Sequence, residues 1–262
     1  MSKLLDRLDQ ITRGPVRTLG FGPAATREAT PTMALLVLVE GSKAEEAQSA
    51  VQSGADAVVL AAPGMGNPSA PEGAAWGVEA TQLDKAKADA LRGQGCDFLV
   101  FGIENTLVEA LEEGDCTRVL RVPPTLEESQ LRVIEDLPVD VVLAGKPAPE
   151  GPLCLAHLLA IANVRSATSR YLLLEWNGPL SAQELEHLRG MGVDGILLRG
   201  AGGEALPATV AELHERIAGL PPRRPRSDKE GRSPILPRLD GGMGPARQRA
   251  PEPDEEEEEE EY

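Results

Sequence analysis

The segment Gly54-Ala55-Asp56-Ala57-Val58-Val59-Leu60 places a glycine and an aspartate directly before a continuous apolar run. The same order returns at 95–101 and 192–198, and at 138–143 with a proline in place of the glycine. Glycine can adopt the left-handed conformation that ends a helix, and a short, unbroken apolar run suits a strand that is covered on both faces. The repeated segment therefore predicts helix-to-strand units and a parallel sheet.

The beginnings of three predicted helices carry a hydroxyl residue followed three positions later by glutamate. The hydroxyl residues are Ser42, Thr125 and Ser181. In such a capping box, the hydroxyl and the carboxylate accept hydrogen bonds from backbone N–H groups that the helix leaves unpaired. Strands are predicted near 34–39, 57–61, 97–102, 117–122, 139–144, 170–175 and 193–198, and helices near 43–53, 81–93, 106–113, 125–136, 152–163, 181–190 and 205–218.

Two segments compete to supply an eighth strand. Val16 to Gly22 preserves a plain alternation of strands and helices, whereas Ala75 to Glu79 requires two successive strands without a helix between them. We favour Val16 to Gly22 for this reason. Eight such units predict an α/β protein with a (β/α)8 barrel and right-handed crossovers, and an open doubly wound sheet is the alternative.

The ends of the chain differ from the repeated units. Apolar side chains lie on one helical face of residues 1–13, at Leu4, Leu5, Leu8 and Ile11, which predicts a helix that closes the amino-terminal end of the barrel. Residues 62–78 are rich in Gly, Pro and Ala, contain Trp76 and predict a loop that covers a strand end. The barrel domain is predicted over 1–220, a disordered Pro/Arg/Gly-rich linker over 221–250 and an acidic poly-Glu tail over 251–262.

The charge and cysteine content exclude several classes of protein. The 262 residues carry a formal net charge of −16, and residues 1–220 are acidic on their own. An acidic surface repels phosphate backbones and anionic lipids, so we expect no nucleic-acid and no membrane partner. The three cysteines lack metal-ligand spacing, which predicts reduced core residues and no metal site. A cytoplasmic location is expected because no secretory signal or membrane span is recognised.

Polar residues that follow the predicted strands meet at one rim of a barrel, where such folds place their active sites. A glutamate there can act as a general base, and a lysine or arginine can stabilise developing negative charge. The same side chains could instead form ion pairs on the rim. The predicted catalytic residues are Glu104, Lys146 and Glu175, and the predicted substrate-binding residues are Glu40, Asn105, Arg121, Asn177 and Arg199.

Glycines follow the last predicted strand and lead into the final helix. Gly200, Gly202 and Gly203 can expose backbone N–H groups beside a helix N-terminus, which predicts a phosphate-binding loop, and an ordinary flexible loop is the alternative. The histidines His157, His187 and His214 all fall within predicted helices, so packing or surface roles are expected for them.

The run from Leu35 to Leu60 and the segment Gly192 to Gly200 resemble the aldolase-type and flavin-dependent TIM barrels, nitronate monooxygenases among them. The resemblance covers about 33–220 and concerns the order of elements. It implies a TIM barrel whose last strand lies close to a bound phosphate; the flavin-dependent members add a flavin as a candidate cofactor, and the cofactor itself stays undetermined. A diverged barrel that has lost the ancestral activity is compatible with it.

Two hypotheses about function follow. The first is a barrel that binds a small anionic or phosphorylated metabolite or a flavin at its carboxyl-terminal rim, as a lyase, isomerase or oxidoreductase. The second is a non-catalytic scaffold or adaptor whose tail, 221–262, docks a protein partner. The apolar segment Ser233 to Leu239 within the polar tail is the candidate docking motif, and a chance apolar cluster is its alternative. The sequence does not determine an oligomeric state.

Overall fold

A computed structural model shows eight parallel strands closed into a barrel, with each strand paired to the next and the last paired to the first. The structure describes residues 2–13, 32–41, 44–61, 71–112, 114–147, 151–199 and 205–222. The strands are β1 Ala34–Glu40, β2 Ala57–Ala61, β3 Ala75–Ala80, β4 Phe98–Phe101, β5 Thr117–Val122, β6 Val141–Ala144, β7 Tyr171–Trp176 and β8 Gly195–Arg199. The helices are α1 Lys3–Arg13, α2 Ala44–Gln52, α3 Lys85–Gly93, α4 Glu128–Val133, α5 Leu155–Ala167, α6 Ala182–Gly190 and α7 Ala205–Ala218. The predicted (β/α)8 barrel is confirmed.

The eighth strand is the segment that the alternation argument disfavoured. Ala75–Ala80 pairs in parallel with β2 on one side and β4 on the other, so Val16 to Gly22 is the wrong assignment and lies outside the described residues. Gly77 makes room for its neighbour on β4, because a Cβ there would lie 2.3 Å from the Phe98 ring. The loop predicted over 62–78 is correspondingly too long, since Trp76 is a buried strand residue, and 62–70 lie outside the described residues.

Two local predictions also need correction. The helix predicted near 106–113 is only a short 3-10 helix, Val108–Leu111. Thr125 does not cap α4, which begins three residues later and has Glu127 at its N-cap position. The Ser181 capping box is formed, with the Ser181 N–H donating to Glu184 at 2.7 Å. This backbone hydrogen bond, together with one from the Ser181 hydroxyl, holds the pKa of Glu184 below its ordinary value.

The interior of the barrel is filled by alternate residues of the strands and by one face of α1. Leu36, Val59, Phe98 and Leu173 belong to the same buried cluster as the α1 residues Leu4, Leu8 and Ile11. The other face of the strands packs in a second cluster against the surrounding helices. Helix α1 therefore closes the amino-terminal end of the barrel, as its sequence pattern predicts.

The repeated aspartates hold the amino-terminal ends of the strands together. The Asp194 carboxylate accepts the Leu172 N–H at 2.9 Å, while the Asp194 N–H donates to the Leu172 carbonyl at 2.7 Å. Asp56 makes the same pair of hydrogen bonds with Leu35, and Asp140 makes it with Arg118. The Asp97 carboxylate instead accepts the N–H groups that open α1. The aspartates of the repeated sequence segment thus have a structural role, and they lie at the end of the barrel opposite the predicted site.

Substitution of one of these aspartates tests that role. We expect Asp194→Ala to lower the free energy of unfolding by about 1–3 kcal/mol, because the buried Leu172 N–H loses an acceptor. Urea unfolding followed by circular dichroism measures the change. Asp136→Ala is the control, because Asp136 is exposed, and an equal loss in the two variants contradicts the role assigned to Asp194.

The chain divides into two units, Met1–Arg226 and Ser227–Tyr262, and the described residues all belong to the first. The predictions for the linker and the acidic tail therefore concern residues almost wholly outside the described ones. Cys96 and Cys116 are buried and Cys154 is half-buried. Among the described residues, no helix has the length and hydropathy that a membrane crossing requires.

Candidate site at the carboxyl-terminal mouth of the barrel

Four charged side chains converge inside the carboxyl-terminal mouth of the barrel. They are Glu79 on β3, Arg121 on β5, Glu175 on β7 and Arg199 on β8, called the charged quartet below. Each follows an inward-facing strand residue by two positions, as Glu175 follows Leu173, and side chains alternate between the two faces of a strand. The register of the barrel therefore directs all four side chains toward its axis.

The quartet is connected by ion pairs from each arginine to both glutamates. Arg121 donates one hydrogen bond to Glu79 and one to Glu175. The Arg199 Nε donates to Glu175 Oε1 at 2.8 Å, and an Arg199 guanidinium nitrogen lies 3.6 Å from Glu79 Oε2. Every carboxylate in the quartet thus faces two guanidinium groups, and the formal charges of the four residues cancel.

Burial is distributed unevenly within the quartet. The Glu175 side chain is 5% exposed, whereas the Arg121 and Arg199 side chains are 30% and 31% exposed. A buried carboxylate is costly without partners, which the two arginines supply. The arginines are the more exposed members, so a ligand that enters the mouth encounters guanidinium groups before it encounters Glu175.

The structure brings three of the predicted site residues together and leaves the other described ones apart. Arg121, Glu175 and Arg199 are in the quartet. No hydrogen bond or ion pair among the described residues joins the remaining ones to it. Glu104 and Asn105 lie in an exposed turn after β4, Glu40 and Asn177 are exposed at the ends of β1 and β7, and Lys146 is half-buried two residues after β6.

Glu79 is the functional candidate that the sequence analysis missed. Its position at the end of β3 matches that of Glu175 at the end of β7, so the same strand-end argument identifies it once Ala75–Ala80 is accepted as a strand. The signal was present in the disfavoured alternative for the eighth strand. Choosing Val16 to Gly22 as the eighth strand therefore removed Glu79 from the predicted site residues.

A cavity of about 300 Å³ lies beside the quartet, between the segment that follows β7 and helix α7. Asn177, Leu198 and Arg199 line it on one side, and Leu206 and Arg216 line it on the other. Arg216 also donates to the Leu180 carbonyl at 2.7 Å. The predicted phosphate-binding glycines, Gly200, Gly202 and Gly203, lie outside the described residues, between β8 and this helix.

One inward-facing position in the mouth has no side chain. Gly102 continues the inward-facing positions of β4, and a Cβ built there would meet no atom of the described residues within 4 Å. The quartet fills the axis below it, and a cavity of about 300 Å³ is at the small end of the range for ligand sites, roughly 300–1,000 Å³. The described residues place two arginines, Arg199 and Arg216, in the wall of this cavity. They also contain no group of three side chains suited to holding a metal ion.

The solved structures that share this architecture include two enzymes of the TIM-barrel fold. Tryptophan synthase from M. tuberculosis in a ligand-free form is 16% identical over 71% of this chain and 93% of its own, with a TM-score of 0.56. An open form of the same enzyme is 14% identical over 83% of this chain and 99% of its own, with a TM-score of 0.59. The N-(5'-phosphoribosyl)anthranilate isomerase from Pyrococcus furiosus is 15% identical over 71% of this chain and 98% of its own, with a TM-score of 0.52.

These similarities establish the fold. No protein-family model matches the sequence, and no curated protein matches it. The predicted resemblance to aldolase-type TIM barrels is confirmed as a resemblance of fold. Because one fold carries many unrelated functions, the site itself has to carry any statement about function.

Proposed function

We propose that the protein binds a small phosphorylated metabolite at the carboxyl-terminal mouth of its barrel. One observation carries the proposal: Arg199 belongs both to the charged quartet and to the wall of the neighbouring cavity. A guanidinium group matches the geometry of phosphate and can bind it through two parallel hydrogen bonds. The start of α7 adds backbone N–H groups at the same cavity, in the region where TIM barrels commonly bind phosphate.

The quartet supplies groups suited to proton transfer near such a ligand. Glu175 is a carboxylate that can serve as a general base, and Arg121 can stabilise negative charge that develops on the substrate. An anion that takes hydrogen bonds from Arg199 weakens the hold of this arginine on Glu175, which frees the carboxylate to accept a proton. A lyase or isomerase that moves a proton beside a phosphorylated group is the class of enzyme that these residues support.

One structural neighbour suggests a first probe for this class of ligand. The Pyrococcus furiosus isomerase acts, by its name, on a compound that carries a phosphoribosyl group. Its likeness to this chain is one of fold, so it suggests a probe and does not identify a substrate. Ribose 5-phosphate is therefore a suitable first probe, and ribose is its uncharged control.

Substitution of Arg199 tests the proposal. We expect the full chain to bind ribose 5-phosphate but not ribose, and Arg199→Gln to weaken binding about tenfold, because a charge-assisted hydrogen bond is lost. Isothermal titration calorimetry measures both affinities. Arg132→Gln is the control, since this exposed arginine pairs only with Glu128 one turn away among the described residues. Equal binding by both variants, or equal binding of ribose, contradicts the proposal.

The non-catalytic scaffold remains a second candidate because of the way the quartet is paired. Each of its carboxylates already faces two arginines, an arrangement that stabilises a barrel without any ligand. Native mass spectrometry of the purified full chain separates the two candidates. A retained phosphorylated molecule favours the binding function, whereas a ligand-free mass together with no affinity for ribose 5-phosphate favours the scaffold.

A further inference from the structure

We propose a second binding site, for a small primary ammonium compound, at the amino-terminal end of the barrel. A cavity of about 330 Å³ lies there between α1 and the amino ends of the strands β5 and β7. Its lining includes Asp6, Asp9, Asp115, Thr117, Asp140 and Tyr171. This cavity is at the opposite end of the barrel from the charged quartet, so the inference does not depend on the function proposed above.

Thr117 is the residue that points to a ligand. It is 1% exposed, and its hydroxyl has no hydrogen-bond partner among the described residues. As the first residue of β5, it occupies an inward-facing position, two before Val119 of the interior cluster, and it lines the cavity. Buried polar groups in native proteins are nearly always hydrogen-bonded, because an unsatisfied one costs stability. A ligand in the cavity can supply the missing partner.

The charges around the cavity select a cation. Two of the aspartates are neutralised or occupied: Asp140 pairs with Arg118 at 3.0 Å, and Asp9 pairs with Arg13 at 3.1 Å while accepting the Tyr171 hydroxyl. Asp6 and Asp115 are both exposed at the cavity and form no ion pair with a described residue. The cavity therefore has an excess of negative charge, which raises the local concentration of cations.

A primary ammonium group fits this combination better than a metal ion does. The described residues contain no group of three side chains suited to holding a metal. An ammonium group has three N–H donors and no acceptor, which matches a cavity whose lining offers hydroxyl and carboxylate oxygens as acceptors. Burial, together with the hydrogen bond to Asp9, raises the pKa of Tyr171, so this phenol stays neutral and remains a donor to Asp9 near neutral pH.

Calorimetric titration of the full chain with 1,4-diaminobutane at low ionic strength tests the inference, with 1,4-butanediol as the uncharged probe of similar length. We expect the diamine to bind and the diol not to bind. Thr117→Val removes the hydroxyl while keeping the side-chain shape, and we expect it to weaken diamine binding about tenfold. Because it also removes an unsatisfied buried group, Thr117→Val should leave the thermal midpoint unchanged or raise it, so weaker binding cannot be attributed to unfolding.

A pair of double variants separates a specific site from general attraction to an acidic protein. Asp6→Asn with Asp115→Asn removes two negative charges at the cavity, and Glu45→Gln with Glu215→Gln removes two from the exposed faces of α2 and α7. We expect only the first pair to abolish diamine binding. Equal losses in the two double variants, unchanged affinity in Thr117→Val, binding of the diol, or no binding of the diamine would each overturn the proposed site.

Discussion

Arg121→Met is expected to lower the free energy of unfolding by about 3–5 kcal/mol, the usual cost of removing one member of a buried ion pair. Arg121 is the only residue that hydrogen-bonds to both Glu79 and Glu175 among the described residues. Without it, Glu175 keeps Arg199 alone as a charged partner, and its side chain is only 5% exposed to water. The loss is large because a nearly buried carboxylate is left with one charged partner where it had two. Urea unfolding of the full chain measures the change.

Two further variants show whether the loss comes from the quartet. Arg132→Met removes an arginine from an exposed pair with Glu128, and such pairs contribute at most about 1 kcal/mol. Glu175→Gln in the Arg121→Met background removes the carboxylate that has lost a partner, so we expect it to recover part of the lost stability. An equal loss in Arg121→Met and Arg132→Met would mean that the mouth of the barrel is hydrated enough to screen its charges.

The fold could be predicted from the sequence because its decisive signal is local and repeated. Each aspartate before a strand bonds to backbone groups of a neighbouring strand or of α1, so the same residue recurs at the same place in the unit. The glycine two positions before three of the aspartates has a positive φ, 105° at Gly54, 83° at Gly95 and 90° at Gly192, which only glycine adopts readily. The hydrogen bonds of the aspartate and the positive φ of the glycine each restrict the residue type at a single position, so both can be recognised in the sequence.

The eighth strand was assigned to the wrong one of two candidate segments for the opposite reason. The alternation of strands and helices describes the order of elements along the chain. The sequence of β3 is instead adapted to the strand beside it in the barrel, β4. Gly77 in this strand leaves the volume that the Phe98 ring occupies on β4. The residues next to Gly77 in the sequence do not indicate that the Phe98 ring requires this space. A complementary pair formed by residues on two different strands becomes visible only when the register between those strands is known.

Three of the four residues of the candidate site could be predicted from the sequence, but the ion pairs that join them could not. The strand-end rule selected Arg121, Glu175 and Arg199, because residues at these positions face the mouth of a closed barrel. The same rule also selected Glu104 and Lys146, which lie one or more residues beyond the last inward-facing position of their strands. Period-two alternation, counted from the buried Leu143, excludes Lys146, whereas Glu104 has the parity of the buried Val100 and is excluded only because β4 ends at Phe101.

Leu8→Ala is expected to lower the free energy of unfolding by about 2–5 kcal/mol, the usual range when a buried leucine is truncated. Leu8 is 0% exposed and lies in the interior cluster with residues of the strands, so its removal leaves a void at the amino-terminal end of the barrel. Thermal and urea unfolding of the full chain measure the loss.

Leu5→Ala, on the same helix, is the matched control. Leu5 is only partly buried at the edge of the same cluster, so we expect it to cost about 1 kcal/mol. The comparison holds helix propensity and residue type constant and changes only the depth in the barrel. Similar costs for the two variants would mean that α1 rests on the barrel without closing it, and the cavity beside Thr117 would then be open to solvent instead of walled by this helix. A large difference establishes α1 as part of the core, and as the fixed wall that a ligand at Thr117 requires.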